Sequence, residues 1–236
     1  MQVTFDHAQT ETGYLKTFWF RPEKPVRYVA GQFTEIRLPH ANPDERGDKR
    51  WFTLSSSPTD EMVSITTRLD PVRPSSFKQT LFNMKPGTKL ALADPMGDFV
   101  LPMKQDIPVV FVAGGIGITP MRSMVKWLVD TGEKRQIYLF YAANMLEEVA
   151  FRELFESAPI DFEIILQNPP RNWQDKSGRL TTEEILRLPG VKDKALVYLS
   201  GPEPMVETFY KELKARGIPE HRLVTDYFPG YTEANL

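Results

Sequence analysis

The sequence contains no cysteine. Disulfides, zinc thiolate sites and cysteine-ligated iron–sulfur clusters are thereby excluded. Histidine is nearly as scarce. His7, His40 and His221 stand far apart and form no ligand motif, so no metal is expected. An excess of one charge is also missing: the formal net charge is −2, which gives no electrostatic case for nucleic acid. No apolar run approaches the ~20 residues that a membrane-spanning helix needs. The opening MQVTFDHAQT lacks the basic and apolar regions of a signal peptide. Internal repeats and low-complexity segments are absent. A soluble cytoplasmic protein is the expectation.

What is present is enough apolar material for real cores, 41% of 236 residues. At about 100–150 residues per domain, two modest domains fit that length. The first part reads as β. Gln2 to Phe5, Tyr14 to Phe20, Gly31 to Leu38, Trp51 to Leu54, Met62 to Leu69 and Lys89 to Ala93 are strand candidates, separated by turns and by the polar loop 41–49. One helix, starting at Ser75–Ser76 and carrying Phe77, Leu81 and Phe82, interrupts them. Many short strands predict a small barrel or sandwich. Pro102 to Pro108 reads as a linker. Beyond it strands and helices alternate: strands at Val109–Ala113, Gln136–Ala142, Phe162–Leu166 and Ala195–Leu199, and helices at Pro120–Val129, Glu147–Phe155, from Thr181 or Thr182, and Glu203–Arg216 closed by Gly217. That pattern predicts a doubly wound parallel sheet.

The stretch around which this second part is organised is Val109 to Met121, VVFVAGGIGITPM. An apolar run suits a strand buried on both faces. Gly114, Gly115 and Gly117 then make a turn that a ligand can approach closely. Thr119 is a candidate helix cap, and Pro120 fits the first helical position. Strand, glycine turn and helix N-terminus together suit an anion such as a pyrophosphate. The usual dinucleotide fingerprint ends on Gly or Ala, whereas Pro120 stands there in this chain. A strand-to-helix turn without a ligand is the alternative.

Three segments carry a family resemblance. Arg50-Trp51-Phe52-Thr53-Leu54-Ser55-Ser56 resembles the Arg-x-Tyr/Phe-Ser/Thr-x-Ser flavin motif of the ferredoxin–NADP reductase family. Gly114 to Pro120 resembles that family's nicotinamide-dinucleotide motif. Ser200-Gly201-Pro202-Glu203-Pro204-Met205 resembles its Cys-Gly-Pro-x-x-Met motif, with Ser200 in place of Cys. Each is weak alone; the three in order and spacing are specific over nearly the whole chain.

The resemblance implies an antiparallel Greek-key flavin-binding barrel over residues 1–103 and a nicotinamide-dinucleotide domain over 104–236, whose tail returns to the flavin. It implies FAD rather than FMN, and NADH or NADPH as hydride donor. Arg50 would hold phosphate oxygens, Phe52 would stack on the flavin ring, and Thr53 would sit near N5. In a bare strand, Phe52 would instead be core and Arg50 a surface charge. Thr66, Thr67 and Arg68 match the strand that flanks the flavin, and Ser75 and Ser76 match a second phosphate contact. A plain Ser cap is the alternative for that pair. Ser200 would stand next to the nicotinamide with Gly201 beside it, and Met205 would cap the adenine side or simply pack. Thr225 to Tyr231 resembles the family's acid-x-aromatic terminus, with Asp226 for the usual Glu and Phe228 as the stacking ring.

The implied activity is hydride transfer from NAD(P)H to bound flavin, then electron transfer to a separate acceptor: a ferredoxin, flavodoxin, oxygenase component or small molecule. The chain has neither the length nor the thiolates for a fused iron–sulfur domain. A free-flavin or quinone reductase and a non-catalytic flavin-binding or regulatory subunit are the other readings.

Overall fold

The computed structural model describes residues 1–13, 15–70 and 72–228, with the backbone alone at 227 and 228. The first sheet comprises β1 (Gln2–Thr10), β2 (Leu15–Pro22), β3 (Phe33–Arg37), β4 (Lys49–Thr53), β5 (Val63–Arg68) and β6 (Lys89–Leu92), with α1 (Ser76–Phe82) between β5 and β6. All its pairings are antiparallel, in the order β4-β3-β6-β1-β2-β5. The return of β6 to a place between β1 and β3 is a Greek-key connection.

Alternate side chains point inward, as a half-buried strand requires. Val3 and Phe5, Phe18 and Phe20, Phe52 and Leu54, Val63 and Ile65, Leu90 and Leu92 meet in one core, closed by Phe77 and Leu81 of α1. Each such side chain is worth about 1.5–3 kcal/mol when buried. The two end strands of that order meet through a Leu54–Ile65 bridge. The Ser55 N–H donates to the Ser64 carbonyl at 2.8 Å beside it. The sheet therefore closes into a barrel at a seam immediately after the Arg50–Thr53 segment.

The second sheet is parallel throughout, in the order β10-β9-β8-β7-β11-β12. Its strands are β7 (Val109–Gly114), β8 (Ile137–Ala143), β9 (Asp161–Leu166), β10 (Lys176–Ser177), β11 (Leu196–Pro202) and β12 (Leu223–Phe228). Its helices are α2 (Thr119–Thr131), α3 (Arg152–Ser157), α4 (Thr182–Arg187) and α5 (Glu203–Ala215). Every residue of β7 is buried. Val109, Phe111 and Ala113 pack with α2 on one face, and Val110 and Val112 with α5 on the other. The doubly wound reading of the apolar run is therefore the observed one. Chain order reverses between β7 and β11, which opens a crevice at their carboxyl ends.

Three elements differ from the sequence expectation. The helix expected over Glu147–Phe155 is broken into a short 3-10 turn (Leu146–Glu148) and α3. Between them Val149 and Ala150 are buried, and Phe151 takes φ +59°. The Tyr141 hydroxyl accepts the Ala150 N–H at 3.3 Å, so tertiary bonding overrides the local preference for a helix. The short edge strand β10 and the closing strand β12 were not anticipated at all.

The two halves share a short spine. Phe99 packs in the core of the second half, edge-on to Tyr198 at 5.1 Å. The Tyr198 hydroxyl donates to the Val100 carbonyl at 2.6 Å. Tyr198→Phe keeps the ring contact and removes that bond, leaving a carbonyl unpaired. The expected cost is about 0.5–1.5 kcal/mol, read as a lower denaturant midpoint with an unchanged slope.

Candidate functional site

The crevice between β7 and β11 is built by glycines pressed against backbone. A Cβ on Gly117 would lie 2.3 Å from the Ser200 carbonyl oxygen, and one on Gly114 would lie 2.6 Å from Met205 Sδ. Gly201, at φ +152°, packs on the Gly114 backbone. The glycine turn and the Ser200–Gly201–Met205 segment are thus joined in space. Gly115 takes φ +51° and opens the 3-10 turn Gly115–Ile118 that leads into α2.

The structure alters one assignment here. Thr119 is inside the helix, not its cap: its hydroxyl donates back to the Ile116 carbonyl at 3.1 Å, and no side chain caps α2. Pro120 sits in the first turn, where its missing N–H costs nothing. The end of α2 that points at the crevice therefore has no side chain of its own competing for an anion.

Ser200 lies in register with Ala113 of β7 on one side and Asp226 of β12 on the other. Its side chain is fully buried, and its Oγ has no hydrogen-bond partner among the described residues. A buried hydroxyl without a partner costs about 1–3 kcal/mol, so it marks a place where a polar group from outside the chain would be welcome. Burial pushes the Asp226 carboxyl up from 3.8 to about 6. Phe228 closes β12, paired with Pro202 through the backbone; its side chain, and Tyr231, lie outside the described residues.

In the barrel, Arg50 is not a solvated charge. It is 13% exposed and pairs with Asp44 at 2.6 Å. It also donates to the carbonyls of Arg46, Gly47 and Lys49 and lies 5.2 Å over the Phe77 ring. Burial alone would raise the Asp44 carboxyl, but hydrogen bonds from Arg46 and Arg50 outweigh it and hold the group at about 2. Ser75 caps α1 by accepting the Lys78 N–H at 3.3 Å. Ser76 Oγ meets His40 Nε2 at 3.1 Å and accepts the Asp44 N–H at 3.2 Å. Arg50, Asp44 and the start of α1 thus converge. Ser75 is at the same time the plain cap that was its alternative.

Phe52 is a core residue, 9% exposed and tilted against Phe77 at 5.9 Å. The exposed aromatic on β4 is Trp51, edge-on to Phe33 at 5.5 Å. Thr53 is buried at the end of the same strand.

Thr66 and Thr67 are buried on β5, and Arg68 ends it half-buried. Thr66 Oγ1 meets Thr17 Oγ1 at 2.7 Å and Ser55 Oγ at 2.9 Å. Ser55 Oγ meets Ser64 Oγ at 3.0 Å, and Ser56 Oγ meets Tyr28 Oη at 2.8 Å. This hydroxyl cluster lies at the barrel seam, and the glycine turn lies beside β5. Sequence reasoning missed the cluster, and also Asp44, Arg122 and Ser123. The run Ser55-Ser56-Ser57 was the one available signal, since consecutive buried serines must find partners. Among the described residues no group of His, Cys, Asp or Glu is placed to hold a metal ion. No described helix is long and apolar enough to cross a membrane.

Comparison with known proteins adds to this geometry. Residues 111–211 match the oxidoreductase NAD-binding domain family. The chain is 23% identical over 234 residues to flavohemoprotein A of Dictyostelium discoideum, covering 94% of this chain and 59% of that protein. It is 29% identical over 160 residues to a flavohemoprotein of Bacillus cereus, covering 65% and 40%. The chain thus spans about three fifths or less of these relatives.

Two solved structures share the fold along nearly their whole length. The FAD/NAD-binding domain of a nitric oxide dioxygenase from Vibrio cholerae superposes with a TM-score of 0.81 at 23% identity, covering 96% of this chain and 98% of that one. A ferredoxin NADP+ reductase from Neisseria gonorrhoeae with bound FAD and NADP gives 0.81 at 16% identity, with the same coverage.

Two outcomes test the site as a physical object. Asp226 binds its proton more tightly folded, at about 6, than at its ordinary 3.8, so the folded state holds more protons across that interval. Stability must therefore fall as pH rises from about 4 to 6. Asp226→Asn removes this slope, so the denaturant midpoints of the two proteins should agree at pH 4.5, and at pH 7 the wild type should fall below the mutant. Parallel curves would show that the carboxyl is well solvated. Gly117→Ala should cost at least about 1–3 kcal/mol, because buried backbone has to move; soluble yield and the thermal midpoint report it.

Proposed function

We propose that this chain, ferredoxin–NADP reductase-like in fold and carrying an oxidoreductase NAD-binding domain, is a flavin-dependent NAD(P)H oxidoreductase. The observation that carries the reading is the crevice itself. The glycine turn, the uncapped start of α2 and the unpartnered Ser200 hydroxyl meet at the switch point of the sheet, beside the barrel strand β5. A bound flavin supplies the chemistry, accepting hydride at N5 from nicotinamide C4 and releasing electrons to an acceptor. FAD is the flavin we assign, in keeping with the bound FAD of the Neisseria enzyme.

The residues then divide by task. Gly114, Gly115, Gly117, Thr119 and Pro120 bring α2's N–H groups to the dinucleotide pyrophosphate. Ser200 and Gly201 border the nicotinamide, with the Ser200 hydroxyl offering a donor for its amide, and Met205, packed against Gly114, lies to the adenine side. Arg50 and the start of α1 face the flavin phosphates, and the Asp44 link is the contact a phosphate would replace. Thr53, Thr66, Thr67 and Arg68 border the flavin ring and its ribityl chain. Phe52, mostly covered by core, stiffens the wall rather than offering a broad stacking face. Asp226 holds or releases a proton near neutrality at the crevice, and Phe228 is the ring we assign to the flavin face. The division into a flavin half (1–103) and a nicotinamide half (104–236), and a cytoplasmic location, belong to the same reading.

The electrons go to a separate protein (a ferredoxin, flavodoxin or oxygenase component) or to a small molecule. The solved structures similar in fold include a ferredoxin reductase in carbazole 1,9a-dioxygenase. Under a free-flavin reductase the purified chain is colourless and turns over added flavin; under a non-catalytic subunit it is yellow and is not bleached.

The test is anaerobic titration of the yellow protein. NADH should bleach the flavin band within the mixing time. We expect NADH to be preferred over NADPH. The loop after β8 carries Glu147 and Glu148, and Glu148 Oε2 is held there by the Asn144 N–H at 3.2 Å. Two carboxylates repel a 2′-phosphate, while Arg171 and Arg179 are exposed on later loops. Comparison of kcat/KM for the two cofactors decides this, and a tenfold preference for NADPH would mean that those arginines reach the phosphate.

A further inference from the structure

Two side chains in the first turns of α2 reach across to the barrel. Arg122 Nη1 donates to the Ser55 carbonyl at 2.7 Å and to Asp60 Oδ2 at 3.2 Å. Ser123 Oγ donates to the Ser56 carbonyl at 2.5 Å. The Arg122 side chain is 12% exposed. It lies 5.6 Å from the Trp19 ring of the barrel and 5.7 Å from the Phe151 ring of the second half. Lys126 adds a longer pairing to Asp60 at 3.9 Å.

Both ends of this lock are rigid. On the barrel side Ser55 and Ser56 form the closing seam, and their hydroxyls are held by Ser64, Thr66 and Tyr28. On the other side Arg122 and Ser123 follow Thr119–Pro120 by three residues, so they move with the glycine turn. Ser55 follows Thr53 by two residues, a reach of at most about 7 Å. The bonds therefore join the segment assigned to flavin N5 directly to the helix assigned to the dinucleotide.

We propose that Arg122 and Ser123 are positioning residues that set the separation of nicotinamide and flavin. This rests on the reductase reading above. Hydride transfer needs reacting atoms about 3–3.5 Å apart, and a 1 Å error costs as much as ~100-fold in rate. Neither side chain touches the reacting atoms; each acts through the backbone of the seam.

The experiment uses the full flavin-loaded chain carrying Arg122→Met, Arg122→Lys, Ser123→Ala or Asp60→Asn. Anaerobic stopped-flow reduction at saturating NADH should slow by about tenfold or more in Arg122→Met. The NADH dissociation constant and flavin content should stay unchanged, and the long-wavelength charge-transfer band should weaken. Arg122→Lys should recover part of the rate, because an ammonium can reach the same carbonyl.

A second measurement needs no turnover. Amide hydrogen exchange of the flavin-free protein should quicken at 54–60 and 119–125 together in Arg122→Met and Asp60→Asn, and not at 109–114. If Arg122→Met fails to fold, Ser123→Ala and Asp60→Asn carry both measurements. Wild-type reduction rates with an unaltered charge-transfer band would overturn the positioning role, as would flavin loss in parallel with rate. A wild type that neither nicotinamide reduces would overturn the reductase reading instead. The exchange data would still decide whether the lock couples the two segments.

Discussion

The rest of the molecule depends on one seam. A six-stranded antiparallel sheet has two unpaired edges unless it closes, and this one closes where Leu54 meets Ile65 and Ser55 meets Ser64. Closure buries serine and threonine hydroxyls that must bond among themselves. The resulting cluster fixes the backbone of Ser55 and Ser56, and those two carbonyls accept the side chains of α2. Barrel closure, the contact between the two halves and the placement of the glycine turn therefore share one set of backbone groups. Each depends on polar groups having no solvent to turn to.

The second constraint is the close approach of backbones at the crevice. β7 is buried on both faces, so its end cannot shift without disturbing two cores at once. The glycines at 114, 117 and 201 remove the side chains that would hold β11 and the turn apart. The site is rigid because dense cores on both sides position it, and open because its own residues leave the helix start and the Ser200 hydroxyl unengaged. Rigid elements carrying unsatisfied groups are the expected arrangement for a preorganised binding site.

Most of the fold was legible in the sequence because its signals were local. The alternation of β3, the double-faced run of β7, the glycine turn and the capping pattern at Thr181–Glu184 all lie within a few residues. The failures were tertiary. Helix propensity at 147–151 yielded to the Tyr141 hydroxyl, which sits on a neighbouring strand. β12 was read as a tail because its partner, β11, lies 26 residues earlier in the register Leu223–Val197. The motifs that contain Phe52 and Thr119 do not say which way a ring packs or which carbonyl a hydroxyl finds. Arg122 was invisible for the same reason: a cation off the apolar stripe of a helix reads as solvent-facing until another domain covers it.

Ser200 and Asp226 show why the polar part of the site is poised rather than settled. They lie side by side in the sheet, the first a buried hydroxyl without a partner among the described residues, the second a carboxyl raised by burial to about 6. A sequence selected only for stability would bond the first or replace it with Ala, and would move the second to water. Keeping both leaves a donor and a titratable acceptor together at the mouth of a crevice, near the pH at which a proton moves in either direction at little cost. Sulfur at position 200 would add polarisability but would bond an amide less well. The hydroxyl therefore suits a site whose task at that position is to hold and orient, with the electron chemistry left to what it holds.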